Sequence, residues 1–214
     1  MTQTRTLAMA GALAGWIGLG IQLVLFVGRS GPVVGVWHYL GFFTTLSNIA
    51  IAIIATLIAT GRRHWLTGPR PRMMGLVAVL AVALVYSILL RSLWDPHGWD
   101  KVTNVLLHDV TSLLFLLLWL SMPHGGLRWS DLPWALALPA VFLAVALLRG
   151  AFDGWYPYYF LDPATQGVGQ LAANLAGVMV VFTIVAGCVI AVDQRLAKRR
   201  HQSGEGGRSS NHSR

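Results

Sequence analysis

The sequence predicts an all-α polytopic membrane protein, a six-helix transmembrane bundle with both termini cytoplasmic, and three observations predict it. Hydrophobic residues make up 55% of the chain and charged residues only 11%, against about 25% charged in a soluble domain, so a water-facing surface could not be covered. Six runs stay apolar for about 20 residues, the length that crosses ~30 Å of hydrocarbon as a helix. The basic residues, finally, divide very unevenly between the two faces that such a bundle presents.

The runs cover residues 7–28, 36–60, 73–93, 102–122, 132–148 and 168–192. The first is longer than a secretory signal core of about 7 to 15 residues and holds Trp16 and Gln22, so it reads as a span that the protein keeps. The fifth is the shortest and carries Pro133 and Pro139, which a spanning helix tolerates where neighbours re-satisfy the freed carbonyls. No linker, charge block or repeat divides the chain. Residues 1–201 therefore read as one domain, and the Gly/Ser-rich stretch from Gln202 to Arg214 as a disordered cytoplasmic tail.

With six spans, the N-terminus, the second and fourth loops and the C-terminus share one face. That face holds Arg5, Arg62, Arg63, Arg70, Arg72, Arg128, Arg195, Lys198, Arg199, Arg200, Arg208 and Arg214, twelve in all, and the other holds only Arg29, Arg91, Lys101 and Arg149. The positive-inside rule places the twelve in the cytoplasm and the protein in a cell membrane. The net charge of +8 is thus topological, and no nucleic-acid partner is implied. Lys198 to Arg200 read as an anchor beside anionic headgroups. One cysteine, Cys188, excludes an internal disulfide.

The outer loops carry Asp95, Asp100, Asp153 and Asp162 and two aromatic stretches, Trp94 to Trp99 and Trp155 to Phe160. An interfacial belt accounts for such rings. They also suit a lid over the mouth of the bundle, with Tyr156 to Phe160 lying against it. Polar residues inside the spans are costly in hydrocarbon and point inward. They are Thr44, Thr45, Ser47 and Asn48 in the second span, His108, Asp109, Thr111 and Ser112 in the fourth, and Gln170 and Asn174 in the sixth. Thr44 is expected about eight residues, or ~12 Å, from the outer end of its helix and His108 about six residues, or ~9 Å, from the end of its own. Arg91 and Arg149 close the third and fifth spans at the same end, where they could pair with Asp109 or Asp153 or attract a carboxylate headgroup.

A histidine within reach of a threonine hydroxyl can take its proton and make the oxygen a nucleophile for acyl transfer. Asp109 lies about 100° round the helix from His108 and is poorly placed to orient the ring. Thr111 and Ser112 share the histidine's face and could orient it. The same hydroxyls and amides could instead only fasten helices together, as they commonly do in membranes. His108 and Asp109 lack the spacing that turns two ligands to one side, so no metal is expected, and no cofactor. The spans show no inverted repeat or paired broken helices, which argues against a transporter.

The elements Gly41 to Asn48, Leu106 to His108 with Trp119, and Arg149-Gly150 with Gly154 to Asp162 resemble the bacterial six-pass family called Pr-six-Pr. That family is distantly similar to the eukaryotic androgen-induced-gene and androgen-dependent TFPI-regulating proteins. The similarity runs from the second helix to the sixth, and the Trp-Tyr-Pro-Tyr element at Trp155 is its most specific part. The resemblance implies a transmembrane threonine hydrolase of fatty acid esters, with the nucleophile at Thr44 and the base at His108. Thr45 follows directly and could serve as nucleophile instead; Ser112 stands where bacterial relatives usually have proline. Asn48, Asp109, Ser112, Arg91, Arg149, Tyr156 and Tyr158 are the expected supporting or substrate-binding residues. The expected partners are the bilayer and a membrane lipid or fatty acyl ester. A non-enzymatic carrier or assembly partner is the other reading of the same residues.

Overall fold

The computed structural model describes residues 2–93 and 95–209, which are helical apart from short links, with no strand among them. Five helices, Gln3–Ser30, Pro69–Leu90, Trp99–Leu120, Trp129–Asp153 and Pro163–Arg199, are long and apolar enough to cross a bilayer. A sixth crossing needs the pair Pro32–Tyr39 and Phe43–Ala59, which meets the same test together but is bent by 78°. We label α1 (Gln3–Ser30), α2 (Pro32–Tyr39), α3 (Phe43–Ala59), α4 (Pro69–Val85), α5 (Trp99–Asn104), α6 (Thr111–Leu120), α7 (Leu132–Asp153) and α8 (Pro163–Ser209). Two π turns interrupt the spans: Tyr86–Leu90 prolongs α4, and Val105–Val110 joins α5 to α6.

The expected second span, residues 36–60, is therefore not one helix. Helix α2 starts at Pro32, after a positive-φ Gly31, and ends at Tyr39. The chain then turns at Leu40 to Phe42, and α3 begins at Phe43. A side chain at Gly41 would lie 2.6 Å from the Trp155 ring, so only glycine lets the turn and the aromatic loop meet. Thr44 consequently stands in the first turn of α3 rather than eight residues along a helix. His108 lies nine residues beyond the start of α5 at Trp99 rather than six. Of the expected tail, 202–209 continue α8, and 210–214 lie outside the described residues, as does Trp94 of the first aromatic loop.

α4 is the central helix. Its Met73, Leu76, Val77 and Val79 are fully buried, and it packs on α3, α6, α7 and α8. Helix α1 lies on α3 through small residues, with Gly11 against Ala55 and Gly15 against Ala52. Glycines four apart let two backbones approach where lipid, as apolar as leucine, supplies no hydrophobic drive for association.

The end of the bundle where α1 begins is fastened by a buried carboxylate. Asp193 on α8 accepts the Gly125 and Leu127 N–H groups at 2.9 and 3.0 Å and faces His124 Nδ1 at 3.1 Å. Buried Arg72 adds its charge nearby. One oxygen of Asp193 takes both N–H groups, so Asp193→Ala removes that acceptor and leaves the buried Leu127 N–H unmatched, which costs about 1–3 kcal/mol. A lower melting temperature in detergent is the expected result; an unchanged one means that the loop is held by packing alone.

Candidate functional site

At the opposite end, Thr44 Oγ1 and His108 Nε2 stand 3.4 Å apart, at the long end of hydrogen-bond range, where a small rotation of either side chain closes the bond. The other ring nitrogen, Nδ1, is 3.1 Å from the Asn104 carbonyl oxygen. A carbonyl can only accept, so Nδ1 carries the proton, and Nε2 of the neutral ring offers its lone pair to the Thr44 hydroxyl. This is the tautomer that a general base for Thr44 requires. The π turn at 105–110 places the imidazole so: π turns shift the backbone ladder by one residue and recur at functional sites.

Neighbouring groups hold the ring flat and in register. Tyr86, from the facing π turn, stacks on it with centroids 4.0 Å apart, and the Tyr86 hydroxyl is bonded by Asn104 Nδ2. Asn48 is fully buried and ties the two helices together, donating to the Thr44 carbonyl at 2.9 Å and to the Leu107 carbonyl at 3.0 Å. Its own carbonyl accepts from Thr111 at 2.7 Å. Asn48 thus spans from the helix of Thr44 to the residue before His108.

The other expected residues separate into three groups. Thr45 is buried but turns to Gln22 on α1, 3.4 Å away, and no bond links it to His108. The expectation that Thr111 and Ser112 orient the imidazole is corrected: Thr111 holds Asn48, Ser112 bonds the Val79 carbonyl of α4 at 3.2 Å, and a backbone carbonyl one turn before His108 orients the ring. Asp109 pairs with Arg91 outside the dyad, and Arg91 also lies over the Tyr86 ring at 5.2 Å. Arg149 makes no direct bond to a carboxylate; it sits 3.7 Å over the Trp37 ring and donates to the Trp37 carbonyl, while Asp153 takes the Trp37 indole N–H at 2.8 Å.

The Trp155 to Phe160 stretch lies against the mouth of the bundle. Trp155 stacks on His38, Tyr156 packs against Gly150, and Phe160 is buried. The Tyr158 hydroxyl accepts the Phe43 N–H at 3.1 Å and also meets the Thr44 hydroxyl and amide. Enclosure among apolar rings raises the phenol above its ordinary range, so it keeps its proton at neutral pH.

Two chambers meet at Thr44, Tyr86, His108 and Tyr158. The larger, about 410 Å³, has apolar walls from Phe26, Phe42 and Leu93 and a polar rim at Arg29, Asp100 and Asn104, where Arg29 and Asp100 form an ion pair. The second is a narrow apolar slot of about 50 Å³ between Val82, Phe142 and Phe182. The Asn104 side-chain oxygen is buried without a hydrogen-bond partner at the rim of the larger chamber. Sequence reasoning missed Tyr86, Asn104 and Gln22 as site residues. A hydroxyl or amide within or at the edge of an apolar run was the available signal for each.

No family model, curated protein or solved structure matches the chain. The class that fold and site define is a helical protein with five or six helices apolar enough to cross a membrane and a Thr–His pair between two chambers.

Proposed function

We propose that this protein is an intramembrane hydrolase of lipid esters in which Thr44 is the nucleophile and His108 the base. The single observation that carries this reading is the approach of Thr44 Oγ1 to His108 Nε2, with Nδ1 of the same ring turned to the Asn104 carbonyl, at the junction of the two chambers. The resemblance drawn from the sequence points to the same two residues.

In the reaction, the Thr44 oxygen attacks the ester carbonyl carbon and its proton passes to His108 Nε2. The carbonyl oxygen becomes an oxyanion beside the Tyr158 hydroxyl, whose oxygen accepts the Phe43 N–H; its proton, which lies toward the Thr44 oxygen while the Thr44 hydroxyl donates to His108, turns to the oxyanion as that oxygen bonds to carbon. The imidazolium then returns the proton to the departing alcohol oxygen as the C–O bond breaks, leaving acyl-Thr44. Water attacks that ester with His108 again as base, and the carboxylic acid leaves. The Asn104 carbonyl steadies the imidazolium through Nδ1–H. This is the part a carboxylate plays in a serine triad; Asp109 is engaged by Arg91. The larger chamber takes one apolar arm of the ester, with its polar end at the Arg29–Asp100 rim.

A fluorophosphonate that labels reactive hydroxyls tests the reading. Purified wild-type protein is expected to take up the probe at Thr44, read by peptide mass spectrometry. A protein that takes up no probe and turns over no long-chain ester has no such activity, and its polar residues then serve only to join helices.

The orientation rests on charge: with both termini cytoplasmic the site lies in the outer leaflet, and the reverse arrangement would translocate twelve basic residues in place of four. An alkaline phosphatase fused after Arg214 is expected to be inactive, and the same enzyme fused at Gly98 active. The opposite pattern inverts the bundle.

A further inference from the structure

A third cavity, about 280 Å³, opens on the side of the bundle between the π turn of α4 and α8. Its polarity changes with depth. At the end near the site Gln166, Gln170 and Asn174 form an amide cluster, with Gln170 Nε2 bonding Asn174 Oδ1 at 2.9 Å and Asn174 Nδ2 bonding the Phe160 carbonyl at 3.0 Å. Further along α8 the walls are Gly177, Val178 and Val181. A hydrogen-bonding head above an apolar trough is the shape of a single-chain amphiphile lying along the bilayer normal.

The surroundings of the cavity identify its solvent. Ile88 and Leu89 on one bank and Val168 and Val180 on the other are exposed apolar side chains on helices long enough to cross a membrane, so they face hydrocarbon. Val85, Phe160 and Val178 line both this crevice and the narrow slot beside Thr44, so a wall of side chains separates the two. Phe160 also stacks on Tyr158 at 5.2 Å, which couples that wall to the site.

We propose that this crevice binds the hydrocarbon chain of a membrane-dissolved ester and is the lateral route by which that chain passes Val85, Phe160 and Val178 to reach Thr44. The substrate class is then a long-chain acyl ester partitioned into the bilayer, delivered sideways rather than through the aqueous mouth at Arg29 and Asp100. The proposal rests on the hydrolase reading only for what happens once the chain has arrived.

Gly177 supplies the test. A Cβ there would meet no atom within 4 Å, and Gly177 lines the crevice, so Gly177→Trp places a ring in the crevice from an open position. Gly20 on α1 is equally open and serves as the control, Gly20→Trp. In nanodiscs, a palmitoyl ester with a diazirine at its chain end is expected to crosslink to residues 85–90 and 173–181 in wild-type protein. It should do the same in Thr44→Ala, which binds without turnover. Gly177→Trp should lower that crosslinking, and turnover of the same ester, by about tenfold or more, the scale of ~1.4 kcal/mol, while hydrolysis of a water-soluble acetate ester stays at the wild-type rate. Gly20→Trp should change none of the three.

Wild-type crosslinking in Gly177→Trp, or adducts on other helices alone, overturns the groove. Equal loss of the palmitoyl and acetate activities overturns the lateral route. A wild type that hydrolyses neither ester removes the catalytic reading, and the crosslinking arm then still decides the groove: adducts blocked by Gly177→Trp uphold it, and their absence ends it.

Discussion

Thr44→Ala is expected to abolish covalent labelling and ester turnover, and His108→Ala to lower both by about 10³-fold, within the range that a general base contributes. Neither change should unfold the protein. The Thr44 hydroxyl's contacts are to groups of the site itself, His108 and Tyr158, and the helix pairing beside it is carried by Asn48, which bonds the Thr44 backbone carbonyl rather than its side chain. Residues that act as one unit also give non-additive losses, so the double variant should be no worse than Thr44→Ala. Thr45→Ala breaks a bond to Gln22 and should cost about 0.6 kcal/mol of stability, the average for interhelical bonds in membranes, with activity kept. Labelling and melting temperature measured on these variants separate the two readings. If all of them lose stability to a similar small extent and none changes labelling, the polar residues are fasteners and Thr44 is no nucleophile.

Most of the helices were legible because hydrocarbon imposes a length and a composition on whatever crosses it. The runs at 73–93 and 102–122 fall within the apolar helices Pro69–Leu90 and Trp99–Leu120 to within a few residues. The break at Leu40 to Phe42 was not legible. Hydropathy cannot separate a straight span from one bent by 78°, and what fixes the bend is Trp155, more than a hundred residues away, seated where Gly41 has no side chain. The two π turns are likewise invisible to a reading by period. They matter most at the site: a ring ladder displaced by one residue gives His108 its partner in the Asn104 carbonyl and brings Tyr86 over its face.

Thr44 and His108 stood out in the sequence because each is a polar residue that hydrocarbon penalises; the depths expected for them on unbroken spans did not hold, since Thr44 opens α3 and His108 lies nine residues beyond Trp99. Their partners could not be assigned in the same way. Ser112 and Thr111 sit at the right spacing from His108 to orient it, yet each found a closer acceptor on another helix, at Val79 and Asn48. Spacing along one helix says which residues share a face; which neighbour that face meets is settled by packing around α4.

Tyr158→Phe is expected to lower kcat for ester hydrolysis by about 10²–10³-fold, the effect of removing one donor from an oxyanion site. The phenol oxygen accepts the Phe43 N–H, so its proton, shared with the Thr44 oxygen at rest, turns to the oxyanion that develops above Thr44, and burial keeps that proton in place at neutral pH. Phenylalanine retains the ring contacts to Phe42 and Phe160, at 5.7 and 5.2 Å, and so keeps the loop seated. KM should therefore change by only a few fold, because the lost bond forms with the transition state and not with the resting ester. Stability should fall by about 1 kcal/mol for the Phe43 N–H left without its acceptor. Tyr156→Phe is the matched control: its ring packs against Gly150 at the loop's outer side, and the change should leave kcat at the wild-type value. A purely structural Tyr158 would show the stability loss with kcat intact, and that outcome would remove the phenol from the reaction while leaving Thr44 and His108 to stand on their own variants.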